Sequence, residues 1–428
     1  MERLFKIQIL ILTGFFLLLK PSFGQNKYSP TSSFKTYKGL IMAGYQGWFN
    51  APDDGANMGW NHYARNGIFE PGNCKVDFWP DVNEYEKLYE TSFQIAEGKP
   101  AYIFSSYDSQ SVFLHFRWMR DYGVDGVFVQ RSVTAIKNPQ NLNHDDHLLH
   151  NVINASRHFH RAMAVMYDFS GINEENKDWQ LIIDDWKHLV DSFKIASGGR
   201  KQTYLYHRNK PLVALWGVGF PDRTNDLKSI EKIIDFLKND PVYGGCSVLL
   251  GVPAYWRDFG MDTEKDPYLH VLIHKADIIR PWFVGRFNEK TYPLFKVRIK
   301  DDVLWCKQNK VDYSPVVFPG FSWHNMHPES GKAQISRNRG QFYWQQLVGA
   351  IEAGSEMIYI AMFDEIDEGT AIFKTTNNPP VGLSKFETFE PDIPSDYYLF
   401  LTGMAGKMLK KEIPLDGNIP LPPAVPNK

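Results

Sequence analysis

The chain has 428 residues, 43% of them hydrophobic and 22% charged, which is enough to bury a large core. Its formal net charge is −2 and it carries no basic block, which excludes an electrostatic nucleic-acid footprint. Aromatics reach 15%, with 12 Trp and 21 Tyr, a proportion that suits either a Trp-rich core or a cleft faced with rings.

The N-terminus combines a basic start, "MERLFK", with the apolar run "IQILILTGFFLLL" and then "KPSFG". That pattern predicts a secretory signal peptide over residues 1–24 and an exported protein, periplasmic or extracellular. The apolar run is too short to span comfortably as an anchor, and no later stretch reaches the length of a membrane helix, so no integral membrane segment is expected in the mature chain. The three cysteines, Cys74, Cys246 and Cys306, form no disulfide framework and no CxxC pair.

From residue 38 onward, short apolar runs alternate with amphipathic stretches. The strand candidates are "GLIMAGYQGWF", "AYIFSSYD", "GVFVQRS", "AMAVMYDFS", "PLVALWGVG", "CSVLLGV", "DIIRPWFVG", "SPVVFPGFS" and "MIYIAMFDE". Helix-like segments such as "DDHLLHNVINASRHFH", "DLKSIEKIIDFLK" and "QFYWQQLVGAIEAG" lie between them. Continuous rather than alternating apolar runs indicate strands covered on both faces, as in parallel sheets. Repeated strand–helix alternation predicts a single α/β domain over 25–428, a (β/α)8 TIM barrel. Nine runs compete for eight places, and "AYIFSSYD", whose polar tail leads straight into a helix, is set aside. The irregular segment 50–80 is expected to be a loop insert over the barrel mouth after the first strand. A proline-rich tail, "IPLDGNIPLPPAVPNK", closes the chain.

In such a barrel the functional groups sit at the C-terminal strand ends. The first strand ends in Tyr45, Gln46 and Trp48, the second at Gln130 and Arg131, and the third at Tyr167 and Asp168. Trp216 lies on the fourth, Trp256 follows the fifth, and Trp282 and Arg286 mark the sixth. Trp323, His324 and Asn325 follow the seventh. Any single Trp near a strand end is more often a core residue than a sugar platform. Collectively these residues suit a saccharide, with hydrogen-bonding groups for its hydroxyls and rings for its C–H faces.

The eighth strand ends in "MFDEIDEGTAIF", which crowds Asp364, Glu365, Asp367 and Glu368 into five positions. Like charges held close repel, and burial costs more still. Glycoside cleavage supplies a reason: one carboxyl group must hold a proton for the leaving oxygen while another acts near the anomeric centre. Glu365 and Glu368 are the candidate catalytic pair, with Asp364 a substrate-site or supporting residue. A solvated acidic loop is the plain alternative. The spacing matches no calcium loop, and "NHDDHLLH" is read as a helix end capped by Asn143 rather than a metal site. "GVGF" and "YGGC" lack the phosphate-loop pattern. No metal and no cofactor is expected.

"FDEIDEGTAIFK" resembles the E-x-x-E-G-T segment of glycoside hydrolase family 99, the endo-α-mannosidases and endo-α-mannanases, and of the wider family 71/99-like group. "YDSQSVFLHFRWMRDYGVDGVFVQRS" and "MAGYQGWF" resemble further segments of that group. The resemblance implies a (β/α)8 barrel and a retaining hydrolase of α-linked, mannose-containing glycans, endo-acting. It also implies that Glu365 acts as base on the substrate's own 2-hydroxyl, and that Glu368 serves as acid and then base. Around the first Glu the family commonly has Trp and His; here the flanking residues are Asp364, Ile366 and Asp367. Hydrolysis of pentose-containing (xylo/arabino) glycans on the same scaffold, and glycan binding without catalysis, are the alternatives.

Overall fold

The computed structural model describes residues 27–421 apart from 174–175, 198, 200–201, 222–225 and 331–333. The signal-peptide expectation, and the last seven residues of the proline-rich tail, therefore lie outside the described residues. Among the described residues no helix is long and apolar enough to cross a membrane.

Eight parallel strands form a closed barrel. We number them β1 (Ile41–Tyr45), β2 (Gly126–Ser132), β3 (Ala162–Asp168), β4 (Lys210–Trp216), β5 (Ser247–Val252) and β6 (Ile278–Pro281). The seventh, β7, is split into Asp312–Tyr313 and Val316–Val317, and β8 is Ile358–Ile360. Each strand from β1 to β6 pairs in parallel with the next, and β8 pairs with β1. Closure depends on β7. Its first half pairs with β6 and its second half with β8. The partner changes at Ser314–Pro315, where the Ser314 N–H still donates to Ile279 O (2.9 Å) and the Pro315 carbonyl already accepts from Tyr359 N–H (3.0 Å). Pro315 has no N–H to continue the ladder, so the strand bends there and serves both neighbours.

The apolar runs are buried along their whole length: every residue of β1, β3 and β5 is buried, because side chains fill the barrel on one face and pack beneath helices on the other. Helix Leu227–Asn239 shows how the outer layer is specified. Leu227, Ile230, Ile233, Ile234 and Leu237 recur at helical spacing and are all buried, while Asp226 caps the first turn by accepting from Ser229 N–H. Helix Pro139–Phe159 corrects one expectation. It starts four residues earlier than Asn143, with Pro139 in its first turn and Asn138 as the cap, accepting from Gln140 and Asn141 N–H. Proline loses nothing where the first N–H groups have no intrahelical partner. The set-aside run is not a barrel strand: Pro100–Ile103 pairs antiparallel with Tyr89–Gln94 as a separate hairpin.

The 50–80 segment is irregular but well packed. Tyr63, Phe69 and Trp79 are buried against Phe93 of the hairpin and Phe104 just beyond it. Its end is tied to the segment that follows β8: the N–H groups of Asp77 (2.9 Å) and Phe78 (3.3 Å) both donate to Ile366 O. Asp77 accepts in turn from the N–H groups of His324 (3.0 Å) and Asn325 (2.9 Å), beyond β7. The insert is thereby fastened to the rim of the barrel at two strands.

Candidate active site

Beyond Ile360 the chain leaves the ladder, passes through a cis Ala361–Met362 peptide and folds into a compact loop. The Glu365 carbonyl accepts from Thr370 (3.1 Å) and Ala371 (3.0 Å) N–H, and Phe373 N–H returns to Phe363 O (3.0 Å). The buried guanidinium of Arg337 donates to the carbonyls of Gly369 (2.9 Å) and Ala371 (2.7 Å), closing the loop from outside. Gly369 sits at φ +63°, and a Cβ there would lie 2.8 Å from Ser322 N, so this turn requires glycine.

Asp364 is fully buried and accepts from two successive backbone N–H groups at the end of β1, those of Gln46 (2.9 Å) and Gly47 (2.8 Å). Burial pushes its pKa up to about 7, against the pull of those two donors. It anchors the acidic loop to β1 and does not face the cleft. Glu365 is 6% exposed; its carboxylate accepts from the Gln46 side-chain amide (2.9 Å) and the Thr370 hydroxyl (2.7 Å). Burial first, then the charges of Glu368 and Asp367, hold its pKa well above the ordinary carboxylate range. Glu368 is raised to about 7 by burial and by Asp367. The two glutamates act as a pair: once one is ionised, repulsion from its charge makes the remaining proton hard to remove.

Both glutamates open on a cleft of about 570 Å³ at the C-terminal end of the barrel. Gln130, Asp168, Trp216 and Trp282 line it, as does Trp48. The Trp216 and Trp282 rings meet edge to face, 5.1 Å between centroids, and make an aromatic corner. Gln130 donates to Asp168 (2.8 Å), which leaves a polar strip beside that corner. Trp48 is present but one of its faces is taken: the His62 imidazole stacks on it at 3.8 Å with the planes 5° apart. His62 also lines the cleft, and its Nδ1 lies 3.1 Å from Asp367 Oδ2.

Several strand-end residues lie elsewhere. Arg131 and Tyr167 are register partners across β2 and β3, and both turn outward to Asp185 in the helix layer. Alternation along a strand sends neighbours to opposite faces, so Gln130 and Asp168, one position away, are the ones that face inward. Tyr45 is buried and shares a proton with His115 Nδ1 (2.8 Å), whose Nε2 meets Tyr85 (2.6 Å). Desolvation lowers the His115 pKa to about 3, so this is a neutral core relay of hydrogen bonds, away from the cleft. Trp256 is buried edge-on against Trp305 under the helices, and Arg286 pairs with Asp262 (2.6 Å) on the outside. Trp323 packs between Phe321 and His327. His324 and Asn325 hold Asp77 and the insert rather than facing the cleft.

Gln46, a polar residue at the end of the first strand, lines the cleft and donates to Glu365, whereas the sequence reading missed Asn61 and His62, which the insert brings to the mouth. It also missed Ser132 at the end of β2, and Asn141, His144 and Asp145 on helix Pro139–Phe159, which line the wall. His144 and Asp145 belong to the "NHDDHLLH" run, whose other members go to other partners: Asp146 to Arg131 and His188, and His147 to Tyr107 O. No local signal marks such residues, since their position depends on where the insert and helix are packed.

Set against known proteins, the chain is 20% identical over 404 residues to glycoprotein endo-alpha-1,2-mannosidase of Mus musculus, covering 87% of this chain and 75% of that protein. Among solved structures it is similar to the GH99 endo-alpha-mannosidase from Bacteroides thetaiotaomicron, with a TM-score of 0.63 at 16% identity over 88% of this chain and 99% of that one. A structure described as a glycoside hydrolase-like protein follows at a TM-score of 0.50 and 12% identity, over 77% of this chain and 92% of that one. No family model matches the chain. In sequence and fold the chain is thus similar to the family 99 enzymes, and its fold is the (β/α)8 barrel of those structures.

Proposed function

We propose that the chain is a glycoside hydrolase acting on α-linked, mannose-containing glycans from within the chain, with Glu365 and Glu368 as its catalytic carboxylates. The observation that carries this reading is the pair itself: two mutually coupled glutamates, both shifted toward neutral or higher pKa, facing one cleft that also presents the Trp216–Trp282 corner. An acidic loop with a structural task alone would turn its carboxylates to solvent or to cations.

In the first step Glu365, as carboxylate, takes the proton of the sugar's 2-hydroxyl while O2 bonds to the anomeric carbon. The glycosidic C–O bond breaks, and the leaving oxygen takes the proton of Glu368. In the second step water attacks the anomeric carbon of the 1,2-anhydro sugar and gives its proton to Glu368. The C1–O2 bond opens and O2 regains its proton from Glu365. The pair starts and ends with one proton, and two inversions give net retention. The Gln46 and Thr370 donors pull Glu365 toward its ionised form against burial and the charges of Glu368 and Asp367, and its task as base requires the pair's one proton to sit on Glu368 when substrate is bound. Export rests on residues 1–24 and is checked by sequencing the N-terminus of the secreted chain.

The test is hydrolysis of a panel of α-linked manno-oligosaccharides with the products followed by NMR. Retained configuration, and no cleavage of the 2-deoxy analogue, are expected. Inversion rules out assistance by the 2-hydroxyl. Glycan binding by the wild type with no release of sugar from any substrate makes the protein a binding module instead.

A further inference from the structure

The insert sends one titratable side chain into the acid cluster, and nothing in the proposed reaction uses it. His62 is held by two contacts: the stack on Trp48 sets the plane of its ring, and the Asp367 contact of 3.1 Å sets which nitrogen faces the carboxylate. Asp367 is 2% exposed, and its second oxygen, Oδ1, is buried without a hydrogen-bond partner. A buried carboxylate with a single side-chain donor is costly to keep ionised. Yet the charge of Asp367 bears on Glu365 and Glu368 alike, and on Asp364. The titratable groups that feel it are these three acids on its own segment together with His62 and Tyr63 from the insert. Among the described residues, the side-chain nitrogen found against Asp367 is His62 Nδ1.

We propose that His62 is a positioning residue for the glutamate pair: by donating to Asp367 it holds that carboxylate in place beside Glu365 and Glu368, so that the pair retains its proton at neutral pH. The inference rests on the glycosidase reading above for its consequence, and on the His62–Trp48–Asp367 geometry for its cause. Without the donor, the Asp367 carboxylate is no longer held against the pair. Its repulsion of charge on Glu368 weakens, and the acid loses its proton at lower pH.

The backbone supplies a clean set of variants. His62 sits at φ +59°, which asparagine and glycine both accept. H62N places an amide N–H close to the position of Nδ1, whereas H62G removes the donor; D367N removes the charge at nearly constant volume. The measurement is the pH profile of kcat/KM, joined by a 13C titration of protein labelled at glutamate Cδ, with Glu365 and Glu368 assigned through E365Q and E368Q. Thermal unfolding checks that each variant is folded, and D367N carries the test if H62G is not. In H62G and D367N the alkaline limb, and with it the Glu368 titration, moves down by about one pH unit or more; in H62N it stays at the wild-type position. A limb that does not move in H62G or D367N, or that moves upward in H62G because His62 had acted as a cation toward the pair, overturns the proposal. If the wild type cleaves no glycan, the hydrolase reading fails by itself, and the 13C titration still decides the role of His62.

Discussion

Replacing Glu368 by Gln separates the two glutamates by chemistry. The variant keeps size and hydrogen bonding but has no proton to give. Loss of a positioned general acid costs roughly 10²–10⁴-fold in rate, or about 3–5 kcal/mol at 1.36 kcal/mol per factor of ten. Burial and Asp367 raise the wild-type Glu368 to about 7, so about half the molecules carry the proton at pH 7 and roughly one in a hundred at pH 9. The wild-type kcat/KM therefore falls roughly fifty-fold between those values. The assay compares a natural α-mannosidic linkage with an aryl glycoside whose leaving group departs without a proton. On the natural linkage E368Q shows the full loss. On the activated substrate its first step recovers to within about tenfold of wild type, and its alkaline limb disappears. Azide then accelerates turnover and gives a glycosyl azide, since an anionic nucleophile needs no base. E365Q is not rescued by the activated leaving group, because the 2-hydroxyl still lacks its base. An E368Q variant equally impaired on both substrates, or rescue of E365Q in its place, refutes the assignment of roles.

Other expectations follow from contacts on and off the cleft. Trp216→Ala removes one wall of the aromatic corner and raises KM or glycan Kd at least about tenfold, about 1.4 kcal/mol; Trp256→Ala, buried against Trp305, instead costs about 3–5 kcal/mol in denaturant unfolding with Kd unchanged. Asp185→Ala leaves the inaccessible Arg131 without its principal partner and destabilises by about 3–5 kcal/mol, and glycan affinity measured by calorimetry on the folded protein does not change. At the opposite end of the barrel, burial acts to raise the Asp312 pKa, but His207 (3.0 Å), Lys38 (2.9 Å) and Arg208 (2.8 Å) outweigh it and hold the group below its ordinary value. Its contribution to stability is thus present above the unfolded pKa of about 4 and is lost as pH falls from there through the folded value. The stability gap between wild type and Asp312→Asn, measured by urea unfolding from pH 7 to pH 2, narrows only below about 4; a constant gap shows that the ion cluster is not its source.

The barrel was legible because its signals are local. Uninterrupted apolar runs such as "AMAVMYD" and "SVLLGV" mark strands covered on both faces, and the spacing of Leu227, Ile230, Ile233, Ile234 and Leu237 marks a helix with one buried side. The crowding of acids after β8 was legible for a similar reason, because repulsion among near neighbours in the chain can be seen without coordinates. What remained hidden depended on facing and on distance in the chain. Arg131 and Gln130 are adjacent and equally polar, and only the register of β2 against β3 decides that Gln130 enters the cleft while Arg131 goes to Asp185. Trp256 and Trp282 each follow a strand, but only the second lines the cleft. His62 stands 305 positions before Asp367, and no periodicity links them. Hydrogen bonding and the hydrophobic effect act locally to make strands and helices. Which polar side chains converge on one point is decided by how the closed barrel and its insert pack, and that information is in the tertiary structure alone.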